Sequence, residues 1–171
     1  PPLRLAVNFS SLQVEQANLV DQVIDTLAEF DFPPRYFELE ITESVMMHDL
    51  EGMVKKLQSL ADHGIAVAID DFGTGYSSLS YLHKLPIHTV KLDQSFVRNI
   101  QSVDLEVSIV NAICAMAHGL RLNIVAEGVE NQEQYNYLKK LKCQEVQGYL
   151  ISKPLPGEAL LQFLAERHKT H

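Results

Sequence analysis

Ile65-Ala66-Val67-Ala68-Ile69-Asp70-Asp71-Phe72-Gly73-Thr74-Gly75 is the stretch on which the fold turns. Ile65–Asp70 is a short apolar run of the kind found in strands covered on both faces, as parallel strands are. It closes on two adjacent acids and passes into a glycine-bearing loop. The same unit recurs in both directions along the chain. Leu5–Phe9, Phe37–Thr42, Thr89–Leu92, Asn123–Ala126 and Glu145–Leu150 are further strand-like runs. Segments with helical spacing lie between them. Val20, Val23, Ile24, Leu27 and Phe30 share one face, as do Leu50, Val54, Leu57 and Leu60, and then Ile109, Val110, Ile113 and Met116. Shorter helices are expected over Gln132–Leu141 and over Glu158–Arg167 behind Pro156-Gly157, with helix stops at Gly64 and Gly119.

Strand and helix alternate without a linker or low-complexity break. The chain of 171 residues therefore reads as one α/β domain, residues 1–171, with a mainly parallel sheet. Six βα units suit an open sheet and fall short of the eight of a TIM-type barrel.

Bulk composition narrows the function. Hydrophobic and charged shares of 46% and 21% are those of a globular protein. A net charge of −8 argues against a broad contact with a nucleic-acid polymer. No apolar run approaches the roughly 20 residues that cross a bilayer, and the opening Pro1-Pro2 does not resemble a signal peptide. Cys114 and Cys143, outside any C-x-x-C pair, read as reduced thiols. A cytoplasmic domain is expected, with no membrane contact from this segment. The histidines are scattered, with no HxH or HExxH spacing.

Each strand closes in or near a polar group. Asn8 ends the first, Glu40 and Glu43 the second, Asp70 and Asp71 the third, Lys91 and Asp93 the fourth, Glu127 and Glu130 the fifth, and Gln147 lies in the sixth. Parallel strands place their C-terminal ends on one side, so these groups should meet in one cleft. One acid at a strand end is ordinarily a helix N-cap, and Glu43 and Asp93 fit that role too. Six strands with the same feature point to a site. Clustered acids repel one another and resist desolvation, and cations relieve both. An all-oxygen donor set suits Mg²⁺ or Mn²⁺ better than zinc. Two such ions would clamp the attacking and leaving oxygens of a phosphodiester. Lys91 is either a counter-charge to the acids or the donor that positions a water or phosphate oxygen. Glu127 is placed to take that water's proton, and Gln147 to orient by hydrogen bonds. Phe72, Gly73, Thr74 and Gly75 read as a loop that closes over the site.

The motifs VNFS, ELEITES, AIDDFGTGYSSL, VKLDQSFV, VAEGVE and QGYLISKPLP, in this order over essentially the whole chain, resemble the EAL domain of bacterial cyclic di-GMP phosphodiesterases. The resemblance implies a modified TIM (β/α)8-type barrel, cyclic di-GMP as substrate, linear pGpG as product and two divalent cations, Mg²⁺ or Mn²⁺. It matches Asn8, Glu40, Asp70 and Asp71 to metal ligands, Lys91 and Glu127 to the catalytic pair, and Gln147 to the substrate rim, where Asp93 is expected as well. It matches Glu43 to the anchor of the DDFGTG loop, which in this family couples substrate binding to dimerisation. A homodimer of the intact domain and an upstream sensor or GGDEF domain are implied partners. The segment carrying the Glu-Ala-Leu tripeptide and a nearby Arg falls outside these residues. About two N-terminal strands would belong to it, and six plus two makes the eight of the barrel. The expectation is hydrolysis in the intact domain and little or none by these residues alone. The alternative function is a cyclic di-GMP receptor that signals without cleaving.

Overall fold

The computed structural model describes residues 3–47, 50–74, 82–100 and 104–168. Gly75, at the tip of the expected loop, lies outside them.

The strands are β1 (Leu5–Phe9), β2 (Phe37–Thr42), β3 (Ala66–Phe72), β4 (Thr89–Leu92), β5 (Asn123–Ala126) and β6 (Glu145–Val146). The α-helices whose full extent lies among the described residues are α1 (Ser11–Glu15), α2 (Leu19–Glu29), α3 (Leu50–Asp62), α4 (Gln94–Arg98), α5 (Asp104–Gly119), α6 (Gln132–Lys140) and α7 (Gly157–His168). All strand pairs are parallel and the sheet order is that of the chain, β1-β2-β3-β4-β5-β6. Each crossover thus advances one strand in a constant direction, with no switch point. That is the winding of a (β/α) barrel rather than of a doubly wound sheet. The six strands form half a barrel, with β1 and β6 as its two edges.

Alternation along the strands separates two layers. Leu39, Ile41, Val67, Ile69, Val90, Leu92 and Ile124 are fully buried and face the helices. There they join Val23 and Leu27 of α2, Leu57 and Leu60 of α3, and Val110 and Ile113 of α5 in one core. The intervening residues, Glu38, Glu40, Asp70, Thr89 and Lys91, turn to the other face and bond to one another there. The concave face is therefore polar and the convex face apolar. Toward the β1 edge the apolar layer is uncovered. Leu5 is 48% exposed, and Leu5, Val7 and Phe9 line an apolar groove of about 920 Å³ against Val23, Leu27 and Phe30 of the α2 region.

Local signals account for the element ends. Ser10 and Gln13 form a capping box at α1. Lys56 of α3 donates to the carbonyls of Val14, Glu15 and Gln16 at 2.8, 3.1 and 3.0 Å, closing the C-terminal end of α1. Gly64, at φ +81°, ends α3 in the left-handed conformation. After α5 that conformation falls to Arg121, at φ +60°, and not to Gly119.

Two strand boundaries differ from expectation. β6 is only Glu145–Val146, because Gly148 turns the chain back onto Val129. The Val129 N–H donates to the Gln147 carbonyl at 3.1 Å and the Leu150 N–H to the Val129 carbonyl at 2.9 Å. A Cβ at Gly148 would sit 2.3 Å from the Val129 carbonyl oxygen, so no other residue fits this approach. β3 in turn runs on past the expected Asp70 end through Asp71 and Phe72, the latter expected in the loop.

Leu39 is fully buried in the central layer. Leu39→Ala in the full chain is expected to cost about 2–5 kcal/mol, seen as a lowered urea midpoint with an unchanged m-value.

Candidate active site

The two adjacent acids of β3 reach one site through an irregularity in the sheet. Ile69 pairs with Val90 and Phe72 with Leu92, so Asp70 and Asp71 together stand opposite Lys91 alone. This is a β-bulge. In a regular strand consecutive side chains point to opposite faces. Here Asp71 adopts φ +54°, a left-handed conformation that Asp tolerates better than most residues. Its carboxylate comes back alongside that of Asp70. Asp70, Asp71 and Glu127 each offer one oxygen, all within 4.8 Å of one another.

Lys91 sits at the centre. Its Nζ lies 2.8 Å from Glu40 Oε2, 3.1 Å from Asp70 Oδ1 and 2.8 Å from Glu127 Oε1. The lysine is 5% exposed, so these contacts replace its hydration. The Glu40–Lys91 bond runs from β2 to β4 across β3. A second rung parallels it one layer below, where Thr89 Oγ1 donates to Glu38 Oε1 at 2.6 Å. Ala68, between the two rungs in register with both Glu40 and Thr89, leaves room for them to cross.

Charge is unbalanced in this cluster. A single ammonium faces the carboxylates of Glu40, Asp70 and Glu127, with Asp71 beside them. Burial pushes the Glu40 and Glu127 carboxyls above the ordinary range; Lys91 pulls them back, and the neighbouring acids add to the rise. Burial likewise raises Asp71, helped by Asp70 and Asp93. Burial alone would lower the Lys91 ammonium, but its bonds to Glu127 and Glu40 hold it above the usual lysine range. The cluster thus sets one ammonium, favoured in its charged form, against four carboxyl groups that resist ionising together. Such a site favours a divalent cation, and its all-oxygen donors fit a hard one.

The other residues singled out in the sequence lie around this cluster. Asn8 is in register with Glu40 on β1 and is exposed at the sheet edge. Glu43 lies beneath the loop; its Oε2 accepts from the Gly73 N–H at 3.1 Å, while Oε1 is buried and finds no partner among the described residues. Gly73, at φ +97°, packs so tightly that a Cβ would meet the Phe96 ring at 2.9 Å. The Thr74 hydroxyl closes the turn by donating to the Asp71 carbonyl at 2.8 Å. Asp93 serves as N-cap of α4, accepting from the Ser95 N–H at 2.9 Å, and also bears on Asp71. Gln147 and Glu127 share a polar cleft of about 250 Å³ with Gln94, Arg98 and Tyr149. Glu130 lines the same cleft and lies 3.8 Å from Arg98.

Glu38, Gln94, Arg98 and Tyr149 were not singled out in the sequence. Only Glu38 carried a signal, as an acid two residues before Glu40 inside an otherwise apolar strand. It is 6% exposed, with Arg4 3.5 Å away.

The family model described as "EAL domain" matches residues 1–154. The chain is 43% identical over 162 residues to the cyclic di-GMP phosphodiesterase NbdA of Pseudomonas aeruginosa, covering 95% of this chain and 21% of the relative. It superposes on the PaMucR phosphodiesterase solved in complex with c-di-GMP with a TM-score of 0.89 and 42% identity, over 92% of this chain and 64% of that one. It superposes on the manganese and cy-diGMP complex of BlrP1 from Klebsiella pneumoniae with a TM-score of 0.80 and 31% identity, over 88% of this chain and 39% of that one. The chain thus spans about a fifth of the length of the curated relatives it matches first.

Lys91→Met should leave Glu40, Asp70 and Glu127 without their counter-charge and destabilise the metal-free full chain by about 3–5 kcal/mol, read by urea unfolding. A loss below about 1 kcal/mol would show the cluster to be less dependent on Lys91 than its geometry implies. At Asp71, Asn should be tolerated for stability, whereas Val should cost a further 1–2 kcal/mol or about that through the left-handed backbone, measured in the same assay.

Proposed function

This chain belongs to the EAL domain family, and on that premise we propose that it forms the larger part of a metal-dependent phosphodiesterase that opens cyclic di-GMP to linear pGpG. The observation that carries the proposal is the Lys91 cluster. Carboxylates from β2, β3 and the end of β5 converge on one ammonium and exceed its charge. The relatives support the substrate, since NbdA is a cyclic di-GMP phosphodiesterase and PaMucR was solved with c-di-GMP.

Asn8, Glu40, Asp70 and Asp71, with Glu127 beside them, would hold two divalent cations, Mg²⁺ or Mn²⁺. When bound, the cations would supply Lewis-acid stabilisation of the phosphate oxygens and lower the pKa of water. The chain's own residues supply the rest. Glu127 has a carboxyl raised by burial, which suits a base that must take a proton from water near neutral pH. Lys91 is held in its charged form, and on releasing one of its carboxylates it can donate to the attacking water or to a phosphate oxygen. Gln147 and Asp93 lie at the rim, where they can orient the dinucleotide. Glu43 fixes the turn at Gly73 and with it the approach of the loop. All the acids expected over this part of the chain are present, which favours hydrolysis over a receptor that binds without cleaving.

A homodimer, an upstream sensor or GGDEF partner and a cytoplasmic location for the domain accompany this reading. Among the described residues no helix is long and apolar enough to cross a membrane. Among the described residues the half-barrel is open between β1 and β6, and turnover is accordingly assigned to the intact domain.

In the full chain, Asp70→Asn and Glu127→Gln should each lower hydrolysis of cyclic di-GMP by about 10²–10⁴-fold, followed by chromatographic detection of pGpG. Chelation should abolish turnover, and Mg²⁺ or Mn²⁺ should restore it. Undiminished hydrolysis in both variants would remove these residues from the reaction.

A further inference from the structure

Gln134 is 3% exposed, an unusual setting for a polar residue in the first turn of a helix. Part of its role is local. The Gln134 N–H donates to Asn131 Oδ1 at 2.9 Å, and Gln134 Oε1 accepts from the backbone N–H groups of Glu130 and Asn131 at 2.8 and 3.2 Å. This is a capping box at α6. Such a box works equally well with Glu or Gln at this position, because only the side-chain oxygen is used.

The other end of the amide does something a carboxylate cannot. Gln134 Nε2 donates to the Val97 carbonyl at 3.2 Å, an acceptor at the C-terminal end of α4. One buried side chain therefore satisfies orphan donors at the start of α6 and adds a side-chain donor to the Val97 carbonyl, which also accepts from the Asn99 and Ile100 N–H groups that close α4. These two ends belong to the two strands that meet in the site. α4 follows Asp93, just beyond Lys91, and the Gly128–Asn131 loop follows Glu127 directly. The loop meets α4 near both ends of the helix, with Gly128 against Gln94 and Glu130 3.8 Å from Arg98. The Glu127 N–H donates to the Leu92 carbonyl at 3.0 Å. Gly128, at φ +67°, approaches α4 so closely that a Cβ would fall 2.6 Å from Gln94 Cβ. The Gln134–Val97 bond fastens the far end.

We infer that Gln134 is a positioning residue: its amide docks the Glu127-bearing loop onto α4 and so holds the Glu127 carboxylate at its 2.8 Å separation from Lys91. The catalytic consequence rests on the proposed phosphodiesterase; the docking itself does not.

The test compares Gln134→Glu with Gln134→Met in the full chain. Glu keeps the capping box but replaces the donor to Val97 with a second oxygen facing that carbonyl, while Met loses both the box and the donor without adding charge. For Gln134→Glu, kcat for cyclic di-GMP should fall about tenfold, as when an outer-shell partner is removed, with KM changed by less than about twofold. Hydrogen exchange at the Glu127 and Ile100 amides should speed up together, with the first turn of α6 still protected. Wild-type kcat and wild-type exchange in Gln134→Glu would reduce the residue to a helix cap and overturn the inference. If the unmodified full chain cleaves no cyclic di-GMP, the proposed function fails, and the exchange of Glu127 and Ile100 decides the docking on its own. Should neither variant fold, exchange in the unmodified chain remains decisive. The two amides are expected to open as one unit, and independent opening would overturn the inference.

Discussion

The Lys91 ammonium, buried among Glu40, Asp70 and Glu127, is the interaction on which the rest of the concave face depends. Charges removed from water are costly unless paired and hydrogen-bonded. Each partner comes from a different segment: Glu40 from β2, Asp70 from β3 and Glu127 from just beyond β5. Three segments are thereby tied to β4 at one atom. The arrangement also sets one ammonium against several carboxylates, and burial, with a smaller contribution from the neighbouring acids, raises the carboxyls of Glu40 and Glu127. A cluster that only stabilised the fold would gain from balance. This one is poised to accept cations, which connects the packing of the barrel interior to the chemistry proposed for it.

The geometry needed to build that cluster is carried by small departures from regular structure. A regular β3 would send Asp71 into the apolar layer. The bulge opposite Lys91 and the left-handed backbone of Asp71 bring it to the polar side instead. Ala68 leaves space for two rungs to cross from β2 to β4. Gly128 and Gly148 let the Glu127 loop lie against Gln94 on one side and the β6 turn lie against Val129 on the other. These features concentrate around the site, where irregular backbone is most often retained for function.

The two layers of the sheet divide the work. The convex layer, from Leu39 to Ile124, supplies apolar burial and is indifferent to which polar groups stand behind it. The concave layer supplies little apolar burial but fixes positions through ionic and hydrogen-bonded contacts. At the β1 edge this division is incomplete, since the apolar face of Leu5, Val7 and Phe9 opens onto a groove rather than a packed layer. Stability there depends on whatever covers that face.

What the sequence alone determined was the alternation of strands and helices, the polar character of the strand ends and membership in the family. Apolar runs, helical spacing and motif order are local properties, legible without coordinates. β1, β2, β4 and β5 run where their apolar patterns place them. The limits of β3 and β6 were not legible, because a strand ends where its neighbour stops pairing: Gly148 folds onto Val129, and Asp71 stays in the ladder through a bulge that only the register with β4 defines. Lys91 was read as either counter-charge or donor, and its three partners could not be counted, since they come from separate strands. Glu43 and Asp93 had been open to a structural or a functional role. The tertiary structure places the first under the Gly73 turn and the second at both a helix cap and the flank of Asp71. Gln134 lies within the helix expected over Gln132–Leu141, and nothing in the sequence singled it out. Its second bond, to Val97, exists only because α4 and α6 are neighbours in space, and no pattern along the chain encodes that proximity.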